Sequence, residues 1–271
     1  MTIIPEPLSK TMPLLLNQNK LSSFDIPILC YHYVEPIGAT AAPYSISITQ
    51  LELHLDFLAG HGYKTIGFSD LYQSLNAGIR PSRKSVIITF DDGGRCFHQR
   101  ALPALLERNM TATVFIVAGE IGGTNQWDVA TGAPERALMN ETDINDLARY
   151  KIELGSHGWS HRAIPECSSQ ELEIEIGRSR YELESRFGQS ITTFAYPYGR
   201  YLEDNHAILK QLGYLGAVSI FSPYPTVLSN PFAMRRIAIH SGDTPFRLQM
   251  KLAPAYLKWV AFRDRKARRD L

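Results

Sequence analysis

Cysteine is scarce. The chain holds Cys30, Cys96 and Cys167, an odd number spread too widely for a Cys-x-x-Cys ligand pair or a disulfide framework. That excludes a stapled secreted mini-domain and a structural zinc module. It reads as small apolar side chains in a reducing compartment. Long apolar runs are missing too. Leu14-Leu15-Leu16 falls short of the roughly 7–15 residues of a leader's hydrophobic region, and the start has no basic stretch. Nothing approaches the ~18 apolar residues of a membrane span. The expected location is therefore cytoplasmic. Internal repeats and low-complexity blocks are also absent, which excludes solenoids and fibrous or disordered chains. Charge of one sign is lacking overall: 28 Lys and Arg stand against 27 Asp and Glu, a net of +1. That balance speaks against a wholly basic nucleic-acid binder.

What is present is an ordinary globular composition, 44% hydrophobic over 271 residues. A chain of this length buries about 75% of its unfolded surface and needs neither disulfide nor metal to hold a core. The charge, however, is unevenly distributed. From Arg247 onward there are eight Lys and Arg against two Asp, a net of +6, and the remainder carries 20 against 25, a net of −5. The sequence therefore divides into a mixed lead-in over 1–25, an acidic body over 26–243 and a basic amphipathic helical segment over 244–271.

The body alternates short apolar runs with amphipathic stretches. Strands are expected at 27–34, 85–90, 113–117, 152–154, 192–196, 214–220 and 236–240. Helices are expected over 49–60, from Ser69 to Leu75, at 102–106, from Thr142 to Arg149, from Ser168 to about Phe187, at 205–212, and from Pro245 onward with an interruption at Pro254. This alternation implies βαβ units and a parallel sheet, open or closed into a barrel. In both architectures function lies beyond the C-terminal strand ends.

Four of those ends carry polar chemistry. Ile87-Ile-Thr-Phe90 runs into Asp91-Asp92, and Ile152-Glu-Leu154 into Gly-Ser-His157-Gly-Trp-Ser-His161. Phe194-Ala-Tyr196 leads into Pro197-Tyr198-Gly199, and Arg236-Ile-Ala-Ile239 into His240. His157 and His161 are spaced so that a helical turn would set both imidazoles on one side. Two histidines and one carboxylate make a three-ligand site with an open position, the catalytic arrangement. A divalent ion there lowers the pKa of bound water towards ~7. One Asp suffices for the metal and its neighbour is free to act as general base, His240 is available as the acid, and backbone N–H groups after Pro197 can serve an oxyanion. The chemistry implied is metal-assisted hydrolysis of an amide or ester.

Thr89-Phe90-Asp91-Asp92-Gly93, Ser156-His157-Gly-Trp-Ser-His161 and Tyr196-Pro197-Tyr198-Gly199, in that order, resemble the successive motifs of the polysaccharide deacetylases, carbohydrate esterase family four. Cys30-Tyr31-His32 and Asn125-Gln126-Trp127-Asp128 are similar to features of the branch that includes exopolysaccharide-biosynthesis deacetylases. The resemblance implies an α/β fold, a distorted (β/α)7 barrel as a single catalytic domain with the basic helix at its C-terminus. It implies Asp91 as general base, Asp92, His157 and His161 as metal ligands, and His240 as acid. Tyr198 would supply an oxyanion N–H beside Pro197. The metal would be zinc foremost, with cobalt, nickel and manganese also suiting two imidazoles and a carboxylate. The reaction would remove the acetyl group of an N-acetylated sugar in a polysaccharide, oligosaccharide or lipid-linked precursor.

Three positions depart from the family pattern. The third motif usually opens with an arginine that orients the base, and here it has Ala195; Arg235 or Arg236 is the available substitute. The motif that supports the acid histidine has no match after Gly213, and Ala238 replaces the usual leucine before His240. Ala195 keeps open an O-acetyl esterase or small-molecule amidohydrolase, and the missing motif keeps open a catalytically silent glycan-binding protein. Trp127 is either core or a sugar-stacking platform, and His32 reads as a neighbour of the site or a core histidine in preference to a ligand. His54, His61, His98 and His206 read as solvated or helix-face residues. The tail's apolar stripe, Leu248, Leu252, Leu257 and Val260 with Trp259 and Phe262, either docks on the barrel or rests on an anionic membrane at the inner face. No fold-level motif supports nucleic-acid binding, and oligomeric state is not legible.

Overall fold

Period-two alternation along short parallel strands builds this molecule. The computed structural model describes residues 26–269 apart from 40, 41, 43, 131, 225 and 226. The lead-in over 1–25 lies outside the described residues. The strands are β1 (Ile28–Tyr31), β2 (Tyr33–Glu35), β3 (Ser45–Ser47), β4 (Lys64–Thr65), β5 (Ser85–Phe90), β6 (Thr113–Ile116), β7 (Glu153–Ser156), β8 (Thr193–Ala195), β9 (Gly216–Ser219), β10 (Met234–Arg235) and β11 (Ile237–Ala238). The main sheet runs β10-β9-β8-β7-β6-β5-β1-β11, parallel throughout, with β4 added beside β5.

The sheet's two ends are consecutive in the chain. Met234 and Arg235 pair with β9, and Arg236 N–H still donates to Ser219 O at 2.9 Å. Ile237 and Ala238 pair with β1, and Ile239 N–H donates to Cys30 O at 3.0 Å. One bent segment thus closes the sheet as the seventh stave of a distorted (β/α)7 barrel. The single strand expected at 236–240 is two short ones, because the segment changes hydrogen-bonding partner at Arg236. The run expected as one strand over 27–34 is divided too. Asp91 N–H takes the Tyr31 carbonyl, whereas Tyr33 N–H bonds Tyr44 O and begins the separate β2–β3 ribbon.

Alternate residues of the staves pack together. Ile28, Ile87, Phe115, Ala195, Val218 and Met234 form one apolar cluster, joined by Phe68, Leu71 and Tyr72. Continuing that alternation up each strand carries Cys30, Asp91, Arg236 and His240 to the same side.

Helix starts differ from expectation where a partner comes from elsewhere. The second helix is Phe68–Asn76, not one capped by Ser69. Phe68 N–H and Ser69 N–H donate to the Glu153 carboxylate at 2.6 and 2.9 Å, so an acid from β7 caps it. The helix expected after Thr142 is Glu141–Leu147, opened by the reciprocal pair Asn140 and Asp143. Ser168 and Glu171 cap the long helical run to Phe187 as a similar pair. Its middle, Glu173–Arg178, widens into π-helical turns. At the C-terminus, Pro245–Leu252 and Pro254–Arg269 are helical. Leu248, Leu252, Leu257, Val260 and Ala261 are buried, and Arg235 bonds the buried Asp264 at 2.6 Å. Trp259 and Phe262, expected in the docking stripe, face solvent instead.

Candidate metal centre and active site

Asp91 and Asp92 follow β5 directly, and Asp92 takes φ +69°. Left-handed backbone costs a non-glycine residue about 1–2 kcal/mol, least for Asp and Asn. His161 (φ +61°) and Tyr198 (φ +58°) share that conformation. Three such residues converge on one end of the barrel, where strained backbone aims side chains.

His157 follows β7. It donates from Nδ1–H to the Ala195 carbonyl at 2.8 Å, which fixes the tautomer and leaves Nε2 with its lone pair. That Nε2 lies 3.5 Å from Asp92 Oδ1, and His161 Nε2 lies 3.4 Å from the same oxygen. The two histidines meet through a loop, not through the helical turn their spacing suggested. Gly158 sits at φ +87°, and a Cβ there would fall 2.8 Å from the Glu175 carboxylate. Glu175 accepts from Trp159 N–H at 2.9 Å, Ser160 N–H at 3.1 Å and the Ser160 hydroxyl, so it pins the loop from the π-helical segment. Trp159 lies under the Arg178 guanidinium at 3.9 Å.

These three residues fit a metal ion. Among the described residues, Asp92 is buried with no Lys or Arg in ion-pair reach, only the two imidazoles. A tetrahedral site with ligand bonds of about 2.0–2.1 Å has edges of roughly 3.4 Å, the separations seen here. His161 Nδ1 is buried without a hydrogen-bond partner. Burial is the leading influence on His157 and pulls its pKa down to about 4, so it is neutral at neutral pH. Asp92 lies well below the usual carboxylate range, the histidines beside it outweighing burial.

Asp91 is held differently. Arg236 donates from Nη1 and Nη2 to its two oxygens, each at 2.6 Å, and from Nη1 to Thr89 Oγ1 at 3.2 Å. Burial pushes the Asp91 carboxyl up, but Arg236 and then His157 outweigh it and bring it to about 2. Of the two arginines considered as substitutes for Ala195, Arg236 thus reaches the aspartate, and Arg235 turns to Asp264. Cys30 Sγ lies 3.6 Å and His32 Nε2 3.9 Å from Asp91 Oδ2.

A cleft of about 430 Å³ opens over these groups. His240 is exposed at its edge, and Asp128, Tyr198, Lys251 and Arg263 line it. Burial and then Lys251 hold His240 below the usual histidine pKa. Asp243 accepts the His240 backbone N–H at 2.8 Å and bonds Lys251 at 2.6 Å, so it braces the turn. Pro197, which precedes Tyr198 in the chain, is buried. Trp127 stacks on the His161 ring at 4.5 Å, which occupies one of its faces. His54, expected as a solvated or helix-face residue, lies on the helix Ile48–Gly60 and is buried: it meets Tyr31 Oη at 3.1 Å and the Asp243 carbonyl at 2.5 Å. Sequence reasoning passed over Asp128 as a cleft residue, and Lys251 and Arg263 entered only as tail charges.

A sequence-family model described as polysaccharide deacetylase matches residues 78–217. Staphylococcus aureus poly-beta-1,6-N-acetyl-D-glucosamine N-deacetylase is 25% identical over 224 residues, 82% of this chain and 74% of that protein. Among solved structures, the Streptococcus pyogenes deacetylase PplD in complex with acetate aligns with a TM-score of 0.72 and 22% identity, covering 84% of this chain and 98% of that one. IcaB from Ammonifex degensii aligns at 0.69 and 21%, covering 87% and 97%. At these identities the structural likeness bears on the barrel alone.

Proposed function

Because this chain belongs to the polysaccharide deacetylase family, we propose that it hydrolyses the N-acetyl group of a sugar in a glycan, releasing acetate and a free amine. The observation that carries the reading is the division of labour between adjacent carboxylates. Asp92 converges with His157 and His161, whereas Asp91 is gripped by Arg236. The relative that acts on poly-beta-1,6-N-acetyl-D-glucosamine supports an N-acetylated substrate.

Asp92, His157 and His161 would hold a divalent ion, zinc foremost. When bound, such an ion polarises the scissile carbonyl and makes water acidic near neutral pH. The protein's own groups do the rest. Asp91, ionised by Arg236, is the base that takes the proton of the attacking water. The Tyr198 N–H, presented beside buried Pro197, donates to the oxyanion. His240 at the cleft edge returns a proton to the leaving amine. Trp127 stacks on the His161 ring and would keep it in place.

The test is acetate release from N-acetylated and O-acetylated glycans side by side, with metal restored after chelation. Asp91→Asn should abolish turnover and still carry metal, and His157→Ala should lose metal by elemental analysis. Release only from O-acetyl substrates would make the protein an esterase. Binding without release at any divalent metal would make it a silent glycan binder.

A further inference from the structure

We propose that the C-terminal helix pair is a docking surface for an anionic lipid bilayer. No helix among the described residues is long and apolar enough to cross a membrane, so the contact would be peripheral. Each helix buries one stripe and shows large apolar groups on another side. Pro245–Leu252 buries Leu248 and Leu252 and exposes Phe246 (68%) and Met250 (50%). Pro254–Arg269 buries Leu257, Val260 and Ala261 and exposes Trp259 (57%) and Phe262 (69%). Trp and Phe on a basic helix match the interfacial mode of membrane contact.

Charge selects the occupant. The two helices contain one carboxylate, Asp264, and it is buried against Arg235 and Arg263. Exposed Arg247, Lys258 and Arg265 therefore have no acid on their own helices to balance them. The segment from Arg247 carries eight Lys and Arg against two Asp. A basic surface studded with aromatic residues complements phosphate-bearing headgroups over acyl chains. The same helices wall the catalytic cleft with Lys251, Tyr256, Val260 and Arg263. Docking would thus bring the cleft to a glycan tethered at the bilayer.

Vesicle co-sedimentation of the full chain tests this, with phosphatidylcholine alone or mixed with phosphatidylglycerol. Folding of every variant is checked by near-ultraviolet circular dichroism and melting, so the result does not depend on the deacetylase reading. Wild type should sediment with the mixed vesicles at low salt, be released at high salt, and ignore phosphatidylcholine alone. Lys258→Gln with Arg265→Gln should weaken binding about thirtyfold, at ~1 kcal/mol per basic residue near the surface. Trp259→Ser with Phe262→Ser should weaken it more than tenfold. No vesicle binding at low salt, equal binding by wild type and both variants, or a dimer abolished by Trp259→Ser with Phe262→Ser in place of vesicle binding would each overturn the proposal.

Discussion

Replacing Arg236 by Met tests the pairing on which the proposed base, Asp91, depends. Asp91 and Arg236 are both almost fully buried and share two hydrogen bonds of 2.6 Å. Without the guanidinium, Asp91 keeps only the Cys30 thiol at 3.6 Å and imidazoles at 3.8 and 3.9 Å. Stranding one member of a buried pair costs about 3–5 kcal/mol. Against a total stability of about 5–15 kcal/mol, that is readily measured by urea denaturation. Asp91→Asn in the Arg236→Met background removes the stranded charge and should recover part of the loss, giving a coupling of roughly 2 kcal/mol or more in the double-mutant cycle. Activity supplies a second readout. Burial then acts on Asp91 unopposed by Arg236, so its pKa rises and the acid limb of kcat/KM moves to higher pH. Arg236→Lys retains the charge but loses the fork, so its limb should move less while kcat falls. Additive stabilities within ~0.5 kcal/mol, together with an unmoved acid limb in Arg236→Met, would refute the reasoning.

Two further outcomes follow from the same site. His157 titrates at about 4 in the fold against 6.5 unfolded, so the unfolded state binds more protons between those values and metal-free stability falls as pH drops through that window. At pH ~5 the loss relative to neutral is about 2 kcal/mol by linkage, and urea titrations of His157→Gln should lack that increment. Glu175→Gln replaces one of the two accepting oxygens by an NH2 donor and should loosen the His157–His161 loop; chelator competition should show metal affinity reduced about 10–100-fold, with unchanged affinity arguing that the loop holds itself.

The staves and the polar residues at their ends were legible because local composition determines them. Ser85–Phe90 is β-branched or aromatic at nearly every position and buried along its whole length. What was not legible depends on distant partners. The acid that caps Phe68–Asn76 lies 84 and 85 residues away from the N–H groups it accepts. His54 was legible only as a solvated or helix-face residue, because its own helix gives no hint of the Tyr31 hydroxyl and Asp243 carbonyl that satisfy it. The His-x-x-x-His spacing drew attention to two histidines that the fold does bring together, but through a left-handed glycine and the Glu175 anchor in place of a helical turn.

Arg235 and Arg236 show where sequence reasoning reaches its boundary. Neighbours in extended chain point to opposite faces, so one of the two had to look inward and the other outward. The sequence could not say which, because the facing depends on how the last segment meets the sheet. Here Arg236 shares the alternation of Met234 and faces Asp91, and Arg235 reaches out to Asp264 on the C-terminal helix. Ala195 supports His157 and, among the described residues, shares no hydrogen bond with Asp91. Its carbonyl takes the His157 Nδ1–H, and its side chain packs in the cluster with Phe115 and Val218. The guanidinium that the family pattern places there enters from the residue at which the closing stave passes from β9 to β1. Orientation of the Asp91 carboxylate and closure of the barrel thus rest on one short segment. A change that loosens Met234–Ala238 should therefore lower activity through Asp91 even where Asp92, His157 and His161 are untouched.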